Sequence, residues 1–534
     1  SPPRRINSSP FLRKPVPREE EEERPKPPRR QLSHSSIQQL RVRPDGDSLS
    51  SWDARRHETP NGASPTGSST SPTGTLERHL NLLDLVAIGV GGTIGSGLFV
   101  LAGLVAHEYA GPATIVSWCL SGFAACLSGC CYAELSGRIP LAGSAYAYCY
   151  VAMGEVFAVV AAACLSLEYI CAAAAVARSW GDKTVDWISE MYPGQTWLVV
   201  DSAYNPLAFF IAAAVVALLL CGVKESKRVA NVFTTVKVAL VAFMVVVALY
   251  YTRPSNWVPF APYGVSGVIR GATGTFFGYL GYDQVCCLAG EVKDPKRNLP
   301  RAILGVLSGC AVLYVLATLA LTGMLPYDQI SPISGFPDGF RTLGAITAAQ
   351  ITAVGEIVTL PIVILVTIMT QPRLQYAMAV DGLLPSVFQD IDAQGNLFSG
   401  TCIAGGIMTV IAAFVPFEYL NDMISCAVLC ALSLTDTSVI MLWHEPANDP
   451  ESPLTCNLMM VFHAAAVVGS LSLTHLGAGG NILTALCALT MVGTCAAVYR
   501  HCPRVAVFGG RRKNHYHEHE LVREKGYFQT PLVP

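Results

Sequence analysis

The chain has 534 residues, of which 51% are hydrophobic and only 14% charged, with a formal net charge of −2. A mean hydropathy of +0.42 excludes an ordinary water-soluble protein, no nucleic-acid partner is expected, and the net charge itself decides nothing because its distribution matters more than its sum. The apolar residues are concentrated: 1–78 is polar, whereas 80–500 is a succession of apolar blocks of about 20 residues, the length that crosses a bilayer core.

Residues 1–78 carry basic pairs (Arg4-Arg5, Arg29-Arg30), five glutamates at 19–23 and many Pro and Ser. Such a segment cannot bury enough apolar surface to fold, which predicts a disordered cytosolic tail, with phosphorylation control as the functional alternative. The sequon Asn7-Ser8-Ser9 falls within it, on the side where glycosylation does not occur. There is no initiator Met or signal peptide, and the last residues, GYFQTPLVP, read as the entry to another apolar segment, so the chain is expected to continue at both ends.

Twelve spans follow, at 82–106, 112–133, 143–174, 205–222, 230–251, 266–290, 301–323, 346–370, 400–417, 419–442, 456–475 and 481–499. With the N-terminus inside, Arg138, Lys224, Lys227, Arg228, Lys293, Lys296, Arg297, Arg301, Arg373, Arg500, Arg504, Arg511, Arg512 and Lys513 fall in inside loops. Only Arg178, Lys183, Arg253 and Arg341 fall outside. That asymmetry predicts a cytosolic N-terminus. Eighteen cysteines sit mostly in the spans, with no C-x-x-C or histidine partner, and read as small hydrophobes rather than metal ligands.

The first span contains GVGGTIGSG at 89–97, five glycines in nine positions. Gly91 and Gly95 would suffice for a helix-packing face, so the excess predicts that the helix unwinds. The sixth span, GATGTFFGYLGYDQVCCLAGE at 271–291, is interrupted by Gly274, Gly278 and Gly281. Breaks five spans apart are the signature of an inverted repeat, and bare backbone at membrane depth must face a cavity or a ligand. Half-helix N-termini favour an anionic group, and unwound carbonyls accept from a cation. An α-amino acid carries both charges. The substrate is therefore expected against Thr93, Ile94, Gly95, Ser96 and Gly97 on one break and Phe276, Phe277 and Tyr279 on the other, with Phe277 and Tyr279 as a thin aromatic gate. Tyr282 fits lipid or core packing better.

GVGGTIGSGLFVLAG, SGCCYAELSGRIPLAGSAYAYCYVAMGE, FFGYLGYDQVCCLAGEVKDPKRNLPRAI and QPRLQYAMAVDGLLP, in this order from about residue 76 onward, resemble the cationic amino acid transporter family of the amino acid–polyamine–organocation superfamily. The resemblance implies an all-α polytopic membrane protein of LeuT-like fold: a 5+5 inverted repeat with helices 1 and 6 broken. It implies a ten-helix core at 79–442, then helices 11–12 and a cytosolic segment at 443–534. Members commonly have fourteen spans, so helices 13–14 would lie beyond Pro534.

Each ionisable residue inside a span is a functional candidate, since a charge at the bilayer centre costs about 2.5–3.5 kcal/mol. Lys237 could snorkel to nearby Lys227 and Arg228. The resemblance implies instead a proton-linked gate beside the first break, as in proton-coupled bacterial relatives. Glu168 is expected to face the pocket, while Glu155 starts the third span about 20 Å away and is structural or gating; the resemblance implies a glutamate there. Asp283 follows the second break. Glu291 is expected to pair with a cation in a cytosolic gate. Thr367 falls where the resemblance implies a small hydroxyl residue in members with cationic substrates. Glu356 and Asp436 have no role beyond helix–helix hydrogen bonds.

No G-x-x-x-x-G-K-[ST] motif supports an ATP-driven pump, no nucleophile–base or metal-ligand constellation supports an enzyme, and no cofactor is expected. A channel would need a continuous polar lining. The expected activity is secondary transport of cationic amino acids (arginine, lysine, ornithine), with protons as coupling ion through Lys237. A proton-coupled symporter of neutral or broad-range amino acids is the alternative, and a receptor-like sensor with little transport belongs to another class. The plasma membrane is the first expectation over a vacuolar or lysosomal one. Nothing in the sequence sets an oligomeric state.

Overall fold

The computed structural model describes residues 80–141, 143–192, 204–221, 227–391, 397–444, 453–475, 477–505 and 508. The predicted tail, Lys224, the Arg511–Lys513 cluster and GYFQTPLVP lie outside the described residues. The described residues fold into helices, most of which grow from the apolar runs. Among the described residues, nine helical runs are long and apolar enough to cross a membrane. Two shorter apolar helices, Pro206–Leu220 and Phe398–Phe414, occupy the expected fourth and ninth spans.

The first span is α1 (Leu82–Thr93), α2 (Ser96–Phe99) and α3 (Leu101–Val105), followed by a π turn at Ala106–Ala110. α1 starts at a capping box in which the Asn81 amide donates to Asp84 Oδ2 at 3.0 Å. α4 (Thr114–Arg138) is the second span. The third departs from expectation. A separate helix, α5 (Ala145–Met153), ends at Gly154, whose φ of 95° favours glycine, and α6 then runs from Glu155 to Met191. Arg178 and Lys183, expected in an outside loop, are therefore helical and buried.

Beyond α6 come α7 (Pro206–Leu220), which the Asn205 side chain caps by accepting from the Ala208 amide, and α8 (Lys227–Tyr250). The sixth span is α9 (Gly264–Thr275), a 3₁₀ turn at Phe276–Tyr279 and α10 (Tyr282–Cys287). α11 (Pro295–Met324) and a short α12 (Gly335–Thr342) lead to α13 (Ile346–Val380). The eighth span thus extends past its expected end at 370, so Arg373 sits in a helix and not in a loop. α14 (Phe398–Phe414), α15 (Phe417–Trp443), α16 (Leu454–His475) and α17 (Gly477–His501) are the last helices among the described residues.

Small residues let the helices approach closely. Methyl groups at Gly129, Gly355 and Gly405 would stand 2.2, 2.6 and 2.6 Å from Leu307, Leu240 and Val216. α4 packs on α11, and α6 packs on both α13 and α15. α16 and α17 pair with each other and meet α15 over a small area. At the end rich in Lys and Arg, here the basic end, the Arg138 guanidinium lies over the rings of Trp443 (5.2 Å) and Phe508 (4.5 Å), fastening the segment after α17 to α4 and α15.

Candidate functional site

The two interrupted spans meet at their breaks. Helical geometry stops after Thr93, with Ile94 extended at φ −76°, ψ 98°. In the sixth span Leu280 is extended at φ −66°, ψ 148°. Gly281 follows at φ 131°, and a methyl group there would stand 2.2 Å from Thr93 Oγ1. A methyl on Gly97 would stand 2.5 Å from Gly278 Cα. The glycines in both runs thus permit backbone-to-backbone contact between the broken helices.

The carbonyls at the C-terminal end of α1, which have no partner within the helix, are met by side chains of other spans. Lys237 Nζ on α8 donates to the Gly91 carbonyl at 2.7 Å, and the Tyr314 hydroxyl on α11 donates to the Thr93 carbonyl at 2.8 Å. Thr93 Oγ1 donates to Gly89 O at 2.7 Å. Lys237 is 0% exposed, and its ammonium reaches the first break. A cation at a helix C-terminus is also favourable for the helix dipole.

On the other side, the Tyr279 hydroxyl donates to Trp118 O at 2.8 Å. Trp118, Tyr279 and Tyr314 form an aromatic trio with ring centroids 4.6–5.5 Å apart. Phe276 and Phe277 are buried, and Phe277 packs on Phe417 of α15 at 6.5 Å. Tyr282 is in the protein core, edge-on to Tyr132 at 5.4 Å.

Glu168 of α6 and Asp283 of α10 lie side by side, both 2% exposed. Asp283 Oδ1 accepts from the Gly281 amide at 3.1 Å. Among the described residues, Glu168 Oε1 and Asp283 Oδ2 accept no hydrogen bond from an amide, hydroxyl or amine, and the two carboxyl groups face each other. Leaving a buried acceptor unpaired costs about 1–3 kcal/mol, so these oxygens are open to a donor-bearing ligand. Thr367, 2% exposed, sits on α13 between Val363, which packs against Gly95, and Gln371, whose Nε2 donates to Ser166 Oγ at 3.0 Å. Ser96 occupies the first position of α2. Glu155 is exposed at the start of α6 and is not brought to the break.

Toward the basic end the two broken spans are stitched together. The Leu80 amide donates to Glu291 O at 3.0 Å, and the Lys293 amide to Leu80 O at 2.9 Å. Beneath the breaks an apolar cluster contains Leu85, Ile88, Val285, Leu288 and Val366. Arg373 Nε of α13 donates to Glu291 Oε1 at 2.9 Å. Tyr314, Trp118 and Gln371 are not singled out by the sequence reasoning. The signal for each is a polar-tipped residue inside an otherwise apolar span. Of the two intramembrane carboxylates left without a role, Asp436 accepts from Ser128 Oγ at 2.7 Å, and Glu356 pairs with Lys183.

Residues 80–495 match the amino acid permease family. The methylthioribose transporter of Bacillus subtilis is 36% identical over 71% of this chain and 84% of its own length. The vacuolar cationic amino acid transporter 4 of Arabidopsis thaliana is 36% identical over 70% of this chain and 64% of its own. The branched-chain amino acid permease BcaP of Bacillus subtilis is 32% identical over 72% and 84%. The chain thus spans less than two thirds of the length of the plant cationic transporter.

Proposed function

The chain belongs to the amino acid permease family, whose members are transporters and not enzymes, and from that premise we propose a secondary transporter of cationic amino acids working by alternating access. The observation that carries this reading is the meeting of two helix breaks between buried carboxyl groups and a buried lysine. Amides of the breaks would take the substrate carboxylate, and the unwound carbonyls its α-ammonium. The oxygens of Glu168 and Asp283 would accept from a guanidinium or a side-chain ammonium, and Thr367 leaves room for its stem. The LeuT-like repeat supplies the two halves that rock, and the basic end faces the cytosol.

Glu291 and Arg373 close the cytosolic end in this reading, since their bond ties α13 to the stitch between the broken spans. Lys237 carries the coupling. Its ammonium holds the Gly91 carbonyl beside the break, so gain or loss of its proton changes the backbone that binds substrate. The plasma membrane is the proposed location.

A second reading, proton symport of neutral or broad-range amino acids, draws support from that same Lys237 contact and from the branched-chain permease among the relatives. A singly positive substrate gains about 2.3 kcal/mol per 100 mV of membrane potential, whereas a neutral one gains nothing. The deciding experiment is uptake of labelled arginine and alanine into proteoliposomes at clamped zero potential, with and without an inward proton gradient. Arginine uptake driven by the gradient supports the first reading. Gradient-driven alanine uptake without arginine uptake supports the second, and transport of neither overturns both.

A further inference from the structure

At the end away from the Lys- and Arg-rich loops, α6 holds a buried cation that the transport reading leaves without a role. Lys183 Nζ lies 2.7 Å from Glu356 Oε2 of α13, and the two side chains are 3% and 1% exposed. The same ammonium donates to Phe99 O at 3.2 Å and to Ile333 O at 2.9 Å. Two hydrogen bonds go to these carbonyls, and the contact with Glu356 is an ion pair. Among the described residues, neither carboxylate oxygen of Glu356 has a hydrogen-bond partner, and Lys183 is the cation beside that carboxylate.

The acceptors belong to elements that must move for the far end to open. Phe99 is the last residue of α2, the far half of the broken first span, and Ile333 precedes α12. Further contacts gather α12 against α6. Ser334 Oγ donates to Asp186 Oδ2 at 3.1 Å, and Arg341, paired with Asp338 within α12, reaches Glu190 of α6. A cavity of about 10 Å³, room for one water, is lined there by Lys183, Asp186, Trp187, Ser334, Arg341 and Glu356 among others.

We propose that Lys183 is the lock of the far end, the counterpart of Arg373 and Glu291 at the basic end. α13 carries one partner of each lock, Glu356 and Arg373, about 25 Å apart along the helix. Between them lies Val363, packed on Gly95 of the first break. Both locks are formed, so the break is shut from both ends. Releasing Lys183 from Phe99 and Ile333 frees the far half of the first span and the approach to α12, while the Arg373–Glu291 bond stays in place. The purpose of the lock rests on the alternating-access reading; its geometry does not.

Amide hydrogen exchange of the full chain in lipid nanodiscs tests this. The variant is Lys183→Met with Glu356→Leu, which avoids leaving an uncompensated buried carboxylate. Exchange is expected to rise about tenfold in 98–106 and 331–342 and to stay unchanged in 82–92 and 285–294. The paired variant Arg373→Met with Glu291→Leu is expected to do the reverse. Should the first not fold, Lys183→Gln with Glu356→Gln, neutral at both positions and with a side chain at 183 too short to bond both carbonyls, is expected to shift exchange in the same direction. Unchanged protection of 98–106, or a rise spread evenly over all helices, overturns the proposal. Because the readout needs no substrate, selective exchange in a chain that fails to move arginine would refute the transport reading and leave the lock standing.

Discussion

Gly97 and Gly278, one from each interrupted span, touch backbone to backbone, with room for no methyl group: a Cβ on Gly97 would stand 2.5 Å from Gly278 Cα, and one on Gly278 would stand 2.4 Å from the Trp118 ring. Neither neighbour can yield, since one is backbone and the other is held within the aromatic trio.

Gly97→Ala and Gly278→Ala are therefore expected to cost about 1–3 kcal/mol each and to abolish uptake. Gly309 and Gly406 lie within helices, and a methyl group on either would have no neighbour within 4 Å, so their alanine variants should keep activity and unfold at an equal or higher temperature. Thermal unfolding and uptake measured across the four variants check this. Full activity in Gly97→Ala would contradict contact between the breaks.

Lys237→Met leaves the Gly91 carbonyl buried without that donor. The expected result is loss of gradient-driven accumulation with substrate exchange retained, plus destabilisation of about 1–3 kcal/mol. Comparing counterflow with proton-driven uptake separates the two effects. Undiminished accumulation would reduce Lys237 to a helix cap.

For Glu168→Gln, substrate choice is the informative quantity. If the Glu168 carboxyl meets a cationic side chain, the KM for arginine should rise about tenfold or more while that for alanine holds within about twofold, because a charge-assisted hydrogen bond becomes a neutral one. An equal rise for both substrates would place Glu168 in coupling or structure instead.

Glu291 and Arg373 should show coupling in a double-mutant cycle. Glu291→Gln and Arg373→Met each loosen the basic end, and the interaction energy between them is expected to be about 0.5–3 kcal/mol. Thermal unfolding of the two single variants and the double one measures it, and additive effects would mean that the pair is incidental.

Much of this protein could be read in its sequence because the bilayer leaves few options. Apolar runs long enough to span had to be helices, and glycine-rich interruptions in the first and sixth runs had to be breaks, since backbone in hydrocarbon must otherwise pair within its own helix. Glu291 announced a cation partner by its place at the end of the sixth span. Partners were not legible, because they depend on which helices pack together. Lys183 and Arg373 looked like loop residues until α6 and α13 extended past their apolar cores. There Lys183 is buried beside a carboxylate of α13 and the carbonyls of Phe99 and Ile333, and Arg373 is half-buried between Glu291 and the Met369 carbonyl of its own helix. Tyr314 was one tyrosine in an apolar run until α11 set its hydroxyl against the Thr93 carbonyl. Hydropathy and glycine spacing determined where the chain crosses and where it breaks. Tertiary packing decided which charge meets which, because those pairings join residues distant in the chain, as Lys183 and Glu356 are, on different helices and 173 positions apart.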